Sequence, residues 1–245
     1  MAAPFTRVLT HARTVTGVAL AAAALACANP RPPALLFERG QTQTQASIDV
    51  TNSNRLSLEG GAARVTIFPS TDDSVRVTTE LRSTDQKRLR EKCIPGARLE
   101  RTVADGTLAL RLRQSGRDQC GETWNVSVPP RMFVSLDFAN ADVDASGIRG
   151  GLNVRVTGTG KVTASVDSAP ASVTMNVGDV HVVANRTAVG ALEVASDVGR
   201  AEVTLHGVKV PVTKSGSSSK IATRGTGNHD IRLHTRVGNV SLIVN

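Results

Sequence analysis

The chain has 245 residues, of which 40% are hydrophobic and 20% charged, a balance typical of folded globular proteins and not of disordered ones. Aromatic residues make up only 2%, so Val, Leu, Ile and Ala must fill the core. The formal net charge is +8, but basic and acidic residues are interleaved and the chain has no aromatic platform or basic helix, which argues against nucleic-acid binding.

Residues 1–26 are typical of an export signal. A basic start that contains Arg7 and Arg13 precedes the apolar run 15–26, which is too short to span a bilayer because a span needs about 20 apolar residues. Small residues before Cys27 fit cleavage at that point. We therefore predict an exported protein, in the periplasm, on the outer membrane or at the cell surface.

Cys27 directly follows the predicted cleavage point, in a sequence Ala-Leu-Ala-Cys that resembles the lipobox of bacterial lipoproteins. The resemblance is imperfect, since Ala24 stands where a typical lipobox has Leu. Lipidation of Cys27 would anchor the protein to a membrane, and the Pro- and Gln-rich linker 27–47 would act as a tether. In the alternative, cleavage falls one or two residues later and removes Cys27.

The N-terminal β region, residues 48–130, alternates apolar and polar residues with the period of half-buried strands. Asp105-Gly106 lies between two such runs and predicts a hairpin. In an exported protein we expect Cys93 and Cys120 to form a disulfide. A metal or redox pair is the alternative, although the chain has no CxxC motif and no histidine near either cysteine.

Residues 131–245 repeat a valine-rich run that is broken by one small residue. The breaks recur about every 20 residues, which is typical of a solenoid whose units stack on their neighbours; they lie at Ala141, Gly160, Gly178, Gly199, Gly216 and Gly238. Inward residues on the two sides of a break are three positions apart, as in Val177–Val180, Val198–Ala201 and Val237–Val240. An odd step turns half of a straight strand outward, so we predict structural corners at Gly160, Gly178, Gly199 and Gly238.

The predicted fold class is therefore all-β: a β-helix-like solenoid with rungs of about 20 residues, after a more irregular antiparallel region. A β-sandwich of antiparallel hairpins with regular spacing is the alternative.

Four short motifs resemble the bacterial putative-adhesin family of β-strand repeat proteins, an exported domain of unknown function. They are Val128-Pro129-Pro130, Asn140-Ala141-Asp142-Val143, Ile148-Arg149-Gly150 and Gly178-Asp179-Val180. The resemblance covers residues 50 to 245 and departs from the family pattern at Ala141, where Gly is usual, and in the cysteine pair. It implies a right-handed β-helix-like fold on the cell envelope and brings no catalytic residues.

The sequence contains no GxSxG, HExxH, P-loop or dinucleotide motif. His229 and His234 would fall on opposite faces of a strand, a poor arrangement for sharing a metal. We therefore predict no catalytic residue, no metal and no cofactor.

Two functions remain for this chain. The first is a non-enzymatic envelope module that is adhesin-like or a scaffold, with a protein or an envelope polymer as its partner. The second is a carbohydrate-active enzyme on a β-helix scaffold, which a groove lined by three or more convergent acidic or basic side chains would favour. Self-association is a third possibility, because the run 240–244 would leave a free strand edge.

Overall fold

A computed structural model of the protein describes residues 40–50, 53–114, 120–167, 169–185, 187 and 189–245. They lie within one compact unit, residues 38–245. The predicted export signal, Cys27 and the tether as far as residue 39 lie outside the described residues. In the described part of the chain, no helix has the length and apolar character needed to cross a membrane.

The fold is all-β, and its strands join in one large mixed sheet that is not closed. One short helix, α1 (Gln86–Arg88), continues as a π-helical turn (Leu89–Cys93). The strands in the described residues are β1 (Gly40–Asp49), β2 (Arg55–Pro69), β3 (Ser74–Arg82), β4 (Arg98–Ala104), β5 (Thr107–Arg113), β6 (Gly121–Val128), β7 (Phe133–Ile148), β8 (Leu152–Val166), β9 (Ala171–Ala184), β10 (Val189–Val198), β11 (Ala201–Leu205), β12 (Val208–Lys209), β13 (Thr213–Ser215), β14 (Ser218–Arg224), β15 (His229–Val237) and β16 (Val240–Val244).

Strand β1 occupies residues that the sequence predicted as the end of a tether. It pairs antiparallel with β3, with Ala46 opposite Val77 and Ile48 opposite Val75, and Ile48 is buried. Strand structure therefore begins at Gly40, within the residues predicted as the tether. The predicted hairpin at Asp105-Gly106 joins β4 to β5, and both turn residues have positive φ.

The centre of the sheet consists of four long strands, β2, β7, β8 and β9, which lie side by side in parallel. Their inward residues form rows that cross the sheet. One row of buried aliphatic residues runs through Leu110, Leu58, Leu136, Val154, Val173, Leu233, Val194 and Ile221. Each such side chain contributes about 1.5 to 3 kcal/mol on burial, so these rows explain why the core needs few aromatic residues.

The last two strands lie inside the sheet and not at its edge. β15 lies between β9 and β10, and β16 lies between β9 and β11, all in parallel. Sequential stacking of every unit on its predecessor is therefore not observed after β9. The prediction of a free strand edge at residues 240–244 is also wrong, because β16 pairs with a strand on each side.

The burial pattern confirms that the inward residues on the two sides of a break are an odd number of positions apart. The spacing is five positions, however, and not the three that the sequence predicted. In β9 the inward residues are Met175 and then Val180, five positions apart, and Val177 between them is 37% exposed. Val198 and Val237, also predicted to point inward, are exposed as well. Both halves of β9 contribute to one hydrophobic core, which requires the sheet to bend at the break.

The small residues at the bend form a column across neighbouring strands. Ala141 is opposite Gly160, and Gly160 is opposite Gly178. A Cβ atom built on Gly178 would overlap the carbonyl oxygen of Gly160; Gly238 stands in the same relation to Gly178, and Gly199 to Gly238. Gly216 is not in this column, because it lies in the turn between β13 and β14.

Three buried hydroxyl groups complete the bend at the C-terminal strands. Thr235, Ser196 and Ser219 are each at most 2% exposed. Each donates to the carbonyl of a column glycine on the next strand: Thr235 to Gly178 at 3.2 Å, Ser196 to Gly238 at 2.7 Å and Ser219 to Gly199 at 3.1 Å. These bonds satisfy carbonyl groups that the change of direction takes out of the regular ladder.

Candidate functional site

A polar cleft opens where the first long strand bends. Residues 55–59 of β2 pair with β5, whereas residues 63–69 pair with β6. The residues between them pair with neither strand on this side, so β5 and β6 separate at Gly60-Gly61. The resulting space, which we call the bend cleft, has a volume of about 680 Å³.

Glu122 on β6 lies in this cleft and is only 5% exposed. Its Oε2 accepts a hydrogen bond from Trp124 Nε1 at 2.8 Å, and its Oε1 accepts one from Gln114 Nε2 at 3.0 Å. Gly61 also donates its backbone N–H to this carboxylate. Burial raises the pKa of Glu122 above the ordinary carboxyl value, and these hydrogen bonds together with nearby Arg111 oppose that rise.

The close packing around Glu122 depends on Gly60. A Cβ atom at Gly60 would lie 2.6 Å from Glu122 Oε2 and 2.6 Å from the ring of Phe138. Gly60 is opposite Phe138 in the β2–β7 pair, so the missing side chain leaves room for both groups. Trp124 and Phe138 are fully buried, and their rings are not offered to a ligand as stacking surfaces.

Gln114 connects Glu122 to the disulfide. Cys93 and Cys120 are bonded, with their Cα atoms 6.0 Å apart, as the sequence predicted. Gln114 Oε1 accepts from the backbone N–H of Cys120 at 2.7 Å, and Gln114 Nε2 donates to the Cys120 carbonyl at 3.1 Å. The disulfide therefore holds the start of β6 against the π-helical turn, and the hydrogen bonds of Gln114 hold it, together with Glu122, against the end of β5.

The walls of the bend cleft carry charges of both signs. Glu100 forms ion pairs with Arg98 and Arg113, which hold the pKa of Glu100 below the ordinary value, Arg113 being the larger cause. Arg111 is in register with Glu100 on one side and with Glu59 on the other, and Glu59 is in register with Asp137. Among the described residues the side chains of Arg111, Glu59 and Asp137 form no hydrogen bond or ion pair.

Glu59 and Asp137 are neighbours of the same charge on adjacent strands. Such pairs destabilise a sheet, and an arginine lies in register on each side of this one, Arg111 beside Glu59 and Arg155 beside Asp137. The cleft thus presents two carboxylates as hydrogen-bond acceptors and one guanidinium group as a donor. This is an arrangement that can bind a ligand with many hydroxyl groups.

The histidines have the separate positions that the sequence predicted. His181 Nδ1 lies 2.6 Å from Ser241 Oγ, and His234 Nε2 lies 3.0 Å from Asp197 Oδ1. His229 and His234 are on opposite faces of β15. Within the described ranges no three His, Cys, Asp or Glu residues come close enough to hold a metal ion.

The bend cleft itself was not predicted from the sequence. Its signals are a pair of glycines inside the strand pattern of β2 and a glutamate at an inward position of β6, two residues before Trp124. Neither signal identifies a cleft until β5 and β6 are known to flank the same strand.

The structure defines an all-β protein with a bent mixed sheet and a polar cleft at the bend. A putative cell adhesion protein from Clostridium sporogenes superposes on it with a TM-score of 0.56 and 13% identity, over 83% of this chain and 100% of that chain. A putative adhesin from Bacteroides fragilis (TM-score 0.30, 10% identity, 84% and 98% coverage) and a putative lipid binding protein from Parabacteroides distasonis (0.23, 8%, 84% and 98%) match more weakly.

The likeness to the Clostridium protein concerns the fold, and it confirms the resemblance to adhesin-like β-repeat proteins that the sequence motifs predicted. No family model and no curated protein matches this chain.

Proposed function

We propose that this protein is a non-enzymatic, adhesin-like binding module of the cell envelope, and that it binds a hydroxyl-rich envelope polymer in the bend cleft. The observation that carries the proposal is a set of charged side chains that form no hydrogen bond or ion pair among the described residues, in a cleft whose floor is fixed; they are Arg111, Glu59 and Asp137. The cleft has four carboxylates and two arginines, so it does not share the basic balance of the whole chain. A neutral polysaccharide suits this lining better than an anionic polymer does.

The scaffold of the proposed module is a right-handed β-helix-like solenoid. Its support is the parallel, in-register stacking of β2, β7, β8 and β9, with 19 residues from Ala141 to Gly160 and 18 from Gly160 to Gly178. The departures are the inserted strands β15 and β16 and the antiparallel β14. Because the two halves of the bent sheet enclose one core, a sandwich-like description is the alternative.

The predicted export of the protein supports a function in the cell envelope. The disulfide Cys93–Cys120 in turn supports the prediction of export. Disulfides form and persist outside the reducing cytoplasm, and Cys93–Cys120 is of this structural kind. We further propose that Cys27 carries a lipid anchor. Mass spectrometry of the membrane fraction tests the anchor: an acylated Cys27 is expected, and a mature chain that begins after residue 27 would contradict it.

A carbohydrate-active enzyme is the second candidate, and Glu122 is the observation that favours it. Glycoside hydrolases pair a carboxylic acid of raised pKa with a second carboxylate. The bend cleft supplies Glu122 with a raised pKa and Glu59 and Asp137 as further carboxylates. Binding without reaction is favoured because Trp124, Gln114 and Gly61 already occupy both oxygens of Glu122.

A glycan array tests the proposed binding. The protein is expected to retain one or a few polysaccharides, and Arg111→Gln should reduce that signal at least tenfold because it removes the donor of the cleft wall. Arg236→Gln is the matched control, since Arg236 is exposed on β15 and does not line the cleft. Equal binding by wild type and Arg111→Gln would overturn the assignment of the cleft.

A further inference from the structure

A second cavity, which we call the end pocket, lies between the ends of β10, β11, β14 and β16 and has a volume of about 210 Å³. Its lining is mainly apolar and includes Val189, Leu192, Leu205 and Val244. Leu192 and Val244 belong to the hydrophobic core, so the pocket is an opening at one end of that core. None of its residues lines the bend cleft.

The lip of the end pocket is held in place by backbone hydrogen bonds. Gly225 N donates to Gly190 O at 2.7 Å, and Gly227 N donates to Val189 O at 2.7 Å. Gly225 lies so close to Val189 that a Cβ atom there would overlap the Val189 carbonyl. On the other side, His206 has a φ of 50° and donates its backbone N–H to Val244 O at 3.1 Å. The pocket is thus bounded by fixed backbone on two sides.

Arg224 and His206 are the side chains at this pocket that can carry positive charge. Among the described residues Arg224 forms no ion pair, and its side chain is exposed. An arginine without a partner beside an apolar cavity complements a ligand that has an apolar body and one anionic group. Guanidinium groups bind carboxylates through charge-assisted hydrogen bonds.

The volume of the end pocket limits the size of the ligand's apolar part. At roughly 30 Å³ for each non-hydrogen atom, 210 Å³ accommodates about seven atoms. We infer that the end pocket binds a short, unbranched alkyl carboxylate of about six carbons, with the chain among Val189, Leu192, Leu205 and Val244 and the carboxylate at Arg224. This inference is independent of the polymer binding proposed for the bend cleft.

An NMR titration of the ¹⁵N-labelled exported protein with hexanoate tests the inference. The amide signals of His206, Gly225 and Thr226 should shift and saturate, while those of Gly61 and Glu122 in the bend cleft should not. Hexanol should bind about tenfold more weakly than hexanoate, because it lacks the charge. Hexylammonium, which has the opposite charge, should cause no saturable shift.

Two variants and one control complete the test. Arg224→Gln should weaken hexanoate about tenfold and leave hexanol unchanged, and Leu205→Phe should abolish both by filling the cavity. Arg236→Gln should behave as wild type. The inference is overturned if hexanoate gives no saturable shift, if the shifts centre on the bend cleft, if Arg224→Gln binds hexanoate like wild type, or if hexylammonium binds as well as hexanoate.

Discussion

The glycines of the bend differ from the other turn glycines in what surrounds them. Gly178, Gly238 and Gly199 have φ values of 136°, 137° and 147°, and each lies directly against the backbone of the neighbouring strand. Gly216 also has positive φ, at 59°, but a Cβ atom there would meet nothing within 4 Å. At the bend, both the positive φ and the close approach of the neighbouring backbone therefore require glycine. At Gly216 only the positive φ does.

Gly178→Ala should lower the free energy of unfolding by about 3 kcal/mol or more, because backbone strain and steric overlap add. Gly216→Ala, the matched control, should cost about 1 to 2 kcal/mol, since only the left-handed conformation is at stake. Urea denaturation of the two variants measures the difference. Equal losses would show that the close approach at the bend contributes nothing.

Glu122 makes the stability of the protein depend on pH. Because burial raises its pKa, the folded state holds the proton more tightly than the unfolded state does. The contribution of Glu122 to stability is therefore fully present at pH values below the ordinary carboxyl pKa. It is lost as the pH rises through the raised pKa of the folded state. The slope is at most about 1.4 kcal/mol per pH unit.

Glu122→Gln should remove this dependence. Between pH 4 and pH 8, the unfolding free energy of the wild type should fall relative to that of the variant. Glu193→Gln is a control of opposite sign, because Lys220 lowers the pKa of Glu193 and its stabilisation is lost as the pH falls. A constant difference between the wild type and Glu122→Gln would contradict the buried carboxylate described here.

At the scale of single strands, the valines next to the breaks show how far sequence periodicity reaches. Val177, Val237 and Val198 are neighbours in register and all are exposed, although alternation from Val173 places Val177 inward. The strand already turns before its glycine, so Met175 is the last inward residue of that half of β9. Alternation predicts a bend, but it cannot locate the residue at which the face changes.

Paired substitutions in β10 test this placement. Val198→Thr should change the free energy of unfolding by less than about 0.5 kcal/mol, because Val198 is 48% exposed. Val194→Thr should cost about 1 to 3 kcal/mol, because it buries a hydroxyl group in the core. A large loss for Val198→Thr would restore the inward placement suggested by the sequence.

The disulfide links the π-helical turn to the start of β6. It closes a segment of 27 residues, and replacing both cysteines by serine should cost roughly 3.5 kcal/mol in the chain-entropy model. Denaturation with and without a reductant measures the cost. The wild type should lose this stability when reduced, the double variant should not respond to the reductant, and a response of the double variant would contradict the assignment.

At the scale of the whole molecule, local patterns predicted the all-β class and the breaks in the strands, because strand period and glycine positions are properties of short segments. The order of the strands was not predictable in this way. β15 and β16 follow the same local pattern as the earlier units, yet β15 inserts between β9 and β10, and β16 between β9 and β11. The bend cleft has the same origin, since it depends on β5 and β6 both pairing with β2.

The claim that the bend cleft binds a polysaccharide without cleaving it is tested most directly by mass spectrometry of the array-selected polysaccharide after incubation with the protein. The polymer should be recovered at unchanged length, in larger amount from the wild type than from Arg111→Gln. Shorter products that form with the wild type and not with Glu122→Gln would contradict the claim and identify an enzyme.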